Sequence, residues 1–140
     1  MGKAKGATMI KSIHHINFLV KDLNANVEYL RRLLNQKPDI DTLPHRGVDT
    51  ARFILEGVHL VLVSPTNEDG EPAKILRKRG EGLFLLSLAT SSIEDTLNYL
   101  ESQDIYARSD KRNGLMNWTV LDLQTPGGLG PVLQLCEEKP

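Results

Sequence analysis

"SIHHINFLVKDLNANVEYLRRLLNQ", residues 12–36, decides the fold because its pattern occurs twice along the chain. Residues 16–30 align with residues 86–100, and the alignment places apolar side chains on apolar ones: Phe18 on Leu88, Leu23 on Ile93, Val27 on Leu97 and Leu30 on Leu100. Both copies have a strand pattern, then a polar turn, then an amphipathic helix. A repeat of half the chain length predicts two similar modules rather than a solenoid.

The composition is that of an ordinary globular domain and excludes several classes of protein. The chain has 140 residues, a formal net charge of −1, 40% hydrophobic residues and 25% charged residues. It is long enough to bury a core, and it has no basic excess with which to bind nucleic acid. No apolar run approaches the roughly 20 residues that span a bilayer, so no membrane partner is expected. The single cysteine, Cys136, excludes an intramolecular disulfide and favours the cytoplasm.

The pattern predicts an α+β fold in which two tandem βαβββ modules form a curled, half-barrel mixed sheet with a central cleft. Residues 1–11 are expected to be a disordered leader, and residues 12–140 a single domain with modules at 12–64 and 82–137. The linker, 65–81, contains the turn-rich "SPTNEDGEP" and a short basic helix at 73–79. Further strands are predicted at 39–43, 50–55, 58–63, 105–108, 117–123 and 131–136, and Ser91 with Glu94 is predicted to cap the second module's helix.

Strand alternation separates two faces in the first strand. Ile16, Phe18 and Val20 lie on one face, while His15 and Asn17 lie on the other. Because the amphipathic helix covers the apolar face, the half-polar face is left for a ligand.

Two segments carry a resemblance to a known family. "IHHINFLVKDL", residues 13–23, and "LRKRGEGLFLLSL", residues 76–88, resemble the vicinal oxygen chelate superfamily, particularly its methylmalonyl-CoA epimerase and glyoxalase I branch. The likeness extends from about residue 13 to residue 137. It implies the two-module fold, a homodimer, and a divalent metal held by four side chains.

The resemblance also shows where this sequence departs from the family. The first-strand histidine ligand matches His15, but the fourth-strand and fifth-strand positions fall on Val61 and Leu85, which cannot ligate a metal. The last position, a glutamate in the family, falls on Gln134. A displaced site for a divalent ion such as Zn, Ni, Co, Mn or Fe is left open, with His15, His59 and Gln134 as its ligands.

Several other residues are candidates for catalysis or for contact with a substrate. His45 stands near the family's acid–base position, and Gln134 is a candidate for orienting a substrate; the plainer reading of His45 is an ordinary polar turn. The predicted substrate contacts are Asn17, Arg46, Arg52, Ser87 and Trp118. Of these, Arg52 can meet a carboxylate or lie exposed on a strand, and Trp118 can line a pocket or fill the core.

Three functions follow from the resemblance. The first is an epimerase, isomerase or lyase that acts beside the carbonyl of a small oxo-acid or acyl substrate, acyl-CoA included. The alternative is a metal-free module that sequesters a small molecule, like the bleomycin-resistance members. The third, a ring-cleaving dioxygenase, is contradicted by Leu85 and Gln134 at ligand positions.

Overall fold

The computed structural model describes residues 9–130 and 132–139, and this part of the chain contains eight strands and three helices. In chain order they are β1 (Ile10–Leu19), α1 (Leu23–Leu34), β2 (Asp39–Leu43), β3 (Val48–Leu55), β4 (Val58–Pro65), α2 (Glu71–Arg79), β5 (Gly82–Thr90), α3 (Ile93–Ser102), β6 (Arg112–Asn113), β7 (Trp118–Leu123) and β8 (Val132–Glu138). No helix in the described residues is long and apolar enough to cross a membrane.

The chain divides into two compact units, and the division differs slightly from the predicted modules. The first unit is His15–Phe84, and the second combines the segment ending at His14 with the segment beginning at Leu85. The predicted linker, 65–81, therefore belongs to the first unit and contains α2. Most of the predicted leader lies outside the described residues, but β1 begins at Ile10, inside the range predicted for that leader.

In the first unit the strand order is β2-β3-β4-β1, with β1 parallel to β4 and the other pairs antiparallel. The β3–β4 hairpin turns at Glu56 and Gly57, whose φ values of 40° and 85° suit a tight hairpin turn. Helix α1 begins after Asp22, whose Oδ1 accepts a hydrogen bond from the backbone N–H of Ala25 at 2.9 Å. Its predicted apolar stripe packs on the sheet's core: Leu23, Val27, Leu30 and Leu34.

The second unit repeats this arrangement. Its strand order is β6-β7-β8-β5, with β5 parallel to β8 and the other pairs antiparallel. One apolar stripe of α3 packs on β7 and β8 in a core of Ile93, Leu97, Leu100, Leu121 and Leu135. Because both units have the order predicted for βαβββ modules, the α+β class and the duplication are confirmed.

Two local predictions were wrong. Residues 105–108 form no strand; in this part of the structure Ala107 makes only an isolated bridge to Leu123. Ile105 and Tyr106 are exposed, and the segment pairs with the chain only around that one bridge, so its strand propensity is not realised. The α3 cap is Ser92 rather than Ser91, since it is Ser92 Oγ that accepts the N–H of Asp95, at 3.1 Å.

Candidate functional site

One face of the first-unit sheet carries polar side chains that are buried or nearly so. The strand register places His15 opposite His59, Asn17 opposite Val61, and Arg52 opposite the same Val61. Residues paired across neighbouring strands share a face. We call His15, Asn17, Arg52 and His59 the polar face of the first unit.

Two polar atoms on this face lack a hydrogen-bond partner. Oδ1 of Asn17 and Nε of Arg52 are both buried, and neither has a partner among the described residues. Leaving a buried donor or acceptor unpaired costs about 1–3 kcal/mol each. A bound ligand could satisfy both atoms by donating a hydrogen bond to Asn17 Oδ1 and accepting one from Arg52 Nε.

Arg52 is also anchored at its other end. Its Nη2 lies 3.3 Å from Oδ2 of Asp39, and its side chain is 13% exposed while that of Asp39 is 75% exposed. The guanidinium is therefore held at Nη2 by a solvent-exposed carboxylate, while its Nε is buried. Sequence alternation predicts the face of Arg52 but not this anchor, because Asp39 lies in another strand.

The two histidines of the polar face are neighbours, as the displaced metal site requires. His15 and His59 are 4% and 8% exposed and stand opposite each other on parallel strands. The structure thus brings together two of the three residues predicted for that site. The displaced site itself stays a prediction.

The third predicted ligand, Gln134, is part of a hydrogen-bond network within the second unit. Its Oε1 accepts from Ser87 Oγ at 2.8 Å, and its Nε2 donates to Asp122 Oδ1 at 2.9 Å. The same Asp122 oxygen accepts from Arg112 Nη2 at 3.1 Å. Both ends of the amide are therefore engaged, and the network also accounts for Ser87, a predicted substrate contact.

Cys136 lies on the same strand as Gln134 and is unsuited to nucleophilic chemistry. The pKa of its thiol is raised to about 12, chiefly by burial and also by the nearby carboxylate of Glu138, against the lowering effect of a hydrogen bond with Ser87. Because the thiolate is the nucleophile, a thiol with this pKa is inert at neutral pH. The sequence-based reading of Cys136 as a buried small hydrophobe agrees with its place in an apolar cluster.

His14 is buried in the second unit and has specific partners. Its Nε2 lies 2.6 Å from Oε2 of Glu138, and its ring meets that of Trp118 edge to face at 4.6 Å. Trp118 itself packs with Val120 and Cys136, which is the environment of a core side chain. A role for Trp118 in substrate contact stays a prediction.

The predicted acid–base residue lies in a turn. His45 is exposed between β2 and β3, and Arg46, half-buried, follows it. The turn is closed by the N–H of Arg46 donating to the carbonyl of Leu43 at 3.0 Å, and the N–H of Gly47 donating to the carbonyl of Pro44 at 3.1 Å. His45 is thus accessible to solvent and to a ligand, which leaves its catalytic role as a hypothesis.

Sequence reasoning missed two participants, Asp122 and Glu138. An aspartate alternating with apolar residues in "WTVLDL", residues 118–123, was the available signal for the first, since a charge on a buried strand face needs a partner. For Glu138 no local signal exists, because its partner His14 is 124 positions away.

Comparison with known proteins places the chain in a family. The profile of the Glyoxalase/Bleomycin resistance protein/Dioxygenase superfamily matches residues 14–121. The chain belongs to this superfamily. No curated protein sequence matches the chain.

Solved structures show the same superfamily fold. A methylmalonyl-CoA epimerase from Mycobacterium tuberculosis superposes with a TM-score of 0.83 at 22% identity, over 94% of this chain and 91% of that one. A variant of the Streptomyces coelicolor epimerase in complex with 2-nitronate-propionyl-CoA gives 0.80 at 24% identity, over 94% and 99%. A methylmalonyl-CoA epimerase in complex with methylmalonyl-CoA and NH4+ gives 0.78 at 24%, again over 94% and 99%.

The metal that the superfamily resemblance implies does not fit the corresponding residues here. Val61 is buried and offers no lone pair, and the residue opposite it in the first unit is the cation Arg52. In the second unit Leu85 is a buried hydrocarbon, and Gln134 is neutral with its carbonyl oxygen already bonded to Ser87. A divalent ion needs anionic or imidazole donors, and a fixed positive charge nearby opposes it.

Proposed function

We propose that the protein binds a small oxo-acid or an acyl thioester, acyl-CoA included, on the polar face of the first unit and moves a proton at the carbon beside the carbonyl. The observation that carries the proposal is the pair of unsatisfied buried atoms, Asn17 Oδ1 and Arg52 Nε. A ligand with both a donor and an oxygen acceptor would satisfy them. The structural neighbours solved with acyl-CoA compounds support this ligand class.

The proposed chemistry is an enolisation. A base removes the proton from the carbon beside the carbonyl, the C–H electron pair moves into the enolate, and negative charge develops on the carbonyl oxygen. Hydrogen-bond donors aimed at that oxygen lower the barrier, and an Arg52 N–H is such a donor. Delivery of a proton to the opposite face of the carbon, from water or from a second acid, completes an epimerisation.

His45 is the proposed base. An imidazole can accept a proton from carbon and later release it to solvent, and this one is exposed in the turn between β2 and β3. Gln134 as an orienting amide remains a separate prediction, limited by its bonds to Ser87 and Asp122.

Proton exchange tests the proposal directly. Methylmalonyl-CoA is incubated with the protein in deuterium oxide, and loss of the α-proton signal is followed by NMR. We expect exchange with the wild type and a loss of about 100-fold or more in His45→Ala, the usual size of a general-base contribution. Calorimetric binding of the same thioester to both proteins is the control, since removal of a base should leave affinity nearly unchanged. Absence of exchange in the wild type would refute the enzymatic assignment.

A sequestering function is the second candidate, favoured by one observation. Val61 of the first unit, at a position where the superfamily resemblance implies a metal ligand, is a buried hydrocarbon that suits an apolar guest. This candidate predicts tight binding of a small molecule without proton exchange. The two experiments of the preceding paragraph therefore separate it from the enzyme.

We further propose that the protein acts in the cytoplasm, where its single unpaired cysteine would remain reduced.

A further inference from the structure

We infer that Arg52 supplies, as a fixed guanidinium, the positive charge that a metal ion would otherwise bring to the ligand, and that it binds a carboxylate or enolate oxygen. The inference rests on the proposed function for the class of ligand. It assigns to this chain a metal-independent, anion-binding residue.

The position of Arg52 is the first support. It stands directly opposite Val61 on β4, the position at which the family resemblance implies a metal ligand. Val61 also pairs with Asn17 on β1, so Arg52, Val61 and Asn17 form one row across three strands. The row therefore contains a positively charged side chain, Arg52, and has valine at the position where the resemblance implies a metal ligand.

The polar contacts of the Arg52 guanidinium are the second support. Asp39 takes one terminal nitrogen at 3.3 Å, while Nε is buried and unpaired among the described residues. The Nε–H shares an edge with Nη2, which already contacts Asp39, so Nε–H is left as a single charge-assisted donor for one oxygen. The contact with Asp39 therefore holds the group in place and leaves a donor for a second anion.

The electrostatic balance is the third support. Asp39 is largely exposed, so water and salt screen its charge, whereas the Arg52 side chain is largely buried. The positive charge on the inner side is consequently neutralised only in part. An anionic ligand completes the neutralisation, whereas a second cation would be repelled.

NMR of the arginine Nε–H signals tests the inference with a simple dicarboxylate. Malonate is titrated into uniformly ¹⁵N-labelled, chelator-treated protein, and the Arg52 signal is assigned by its loss in Arg52→Lys. We expect the Arg52 Nε–H signal to shift saturably, and the shift to be unchanged by added Zn²⁺, Co²⁺ or Mg²⁺. A signal that stays in place at saturating malonate would overturn the inference.

Binding measurements on matched variants give a second readout. Arg52→Met should weaken calorimetric binding of methylmalonyl-CoA by about 10- to 100-fold, the worth of a charge-assisted hydrogen bond. Arg32→Met, which removes an exposed arginine of α1, is the matched control and should bind like the wild type. Thermal melting checks that each variant is folded.

The outcomes separate this inference from the proposed function. If wild type binds and exchanges the thioester but Arg52→Met does so equally well, the inference is wrong and the function stands. Stoichiometric metal in the purified protein, with binding lost on chelation, would also overturn it. If the wild type binds neither malonate nor the thioester, both are refuted.

Discussion

The amide nitrogen of Gln134 donates to a carboxylate oxygen of Asp122 at 2.9 Å. A glutamate at position 134 would put a carboxylate oxygen in place of that nitrogen. The family resemblance implies a glutamate here, so Asp122 gives a physical reason for the departure. Two carboxylates at this distance repel each other unless one is protonated. Gln134 turns the same contact into a hydrogen bond.

We therefore predict that Gln134→Glu lowers the free energy of unfolding by about 1–3 kcal/mol at neutral pH, because it replaces a part-buried hydrogen bond by a contact between two carboxylates. Asp122→Asn in the same protein should restore much of the loss, since the new amide can donate to the glutamate. Urea denaturation of the wild type, both single variants and the double variant measures the coupling. Additive effects, with no recovery in the double variant, would show that the two side chains do not interact.

Single residues also show how far sequence reasoning reaches. Strand alternation predicts the face of Asn17 and Arg52 because side chains of a strand alternate with a period of two. Alternation gives the face of a side chain but not its burial, since His14 and His15 are consecutive and both are buried. Which buried atoms remain unpaired depends on residues far away in sequence, such as Asp39 for Arg52, and no local pattern contains that information.

At the level of elements, the caps of the helices decide where each helix begins. Ser92 Oγ accepts the Asp95 N–H, and the side chain of Glu137 on β8 accepts the Ile93 N–H at 2.8 Å. A strand of the same unit thus satisfies a donor that the helix's own sequence leaves open. The capping pattern in the sequence points one residue too early because Ser91 and Ser92 both fit it.

The neighbouring serines allow a matched test of this cap. Ser92→Ala should destabilise the protein by about 0.5–2 kcal/mol because it removes the acceptor of an N-terminal N–H. Ser91→Ala, at an exposed position without a capping bond in the described structure, should stay within about 0.5 kcal/mol of the wild type. Thermal or urea unfolding measures both, and equal losses in the two variants would argue against the assigned cap.

Elements with strong local signals were predictable, and those fixed by pairing were not. The hairpin at Glu56–Gly57 and the apolar stripe of α1 follow from turn chemistry and helical spacing. By contrast, residues 105–108 have strand-forming side chains but only the single bridge at Ala107. Pairing partners, rather than propensity, decided that segment.

For the whole molecule, the internal repeat predicted the fold because each copy must bury the same helix face on the same kind of sheet. The two strand orders, β2-β3-β4-β1 and β6-β7-β8-β5, are equivalent, and the aligned side chains Phe18 and Leu88 each pack against the core of their own unit. The repeat does not predict the function, because the candidate functional residues are at positions where the two copies differ. His15 aligns with Leu85, and Arg52 and Gln134 have acquired separate partners.

The end strand of the first unit leads to the last prediction, a homodimer. β2 pairs only with β3 within the described residues of that unit, and Ile40 on it is 57% exposed. An uncovered strand edge with an exposed branched side chain invites association, and a second copy would cover it. We therefore expect light scattering at tens of micromolar protein to give twice the 15.6 kDa mass of the chain.

Ile40→Glu should shift the protein toward monomer by placing charge in the contact, whereas Ile105→Glu, at another exposed isoleucine, should leave the mass unchanged. A wild-type mass of one chain would refute the dimer, and a dimer equally stable in both variants would move the interface away from β2.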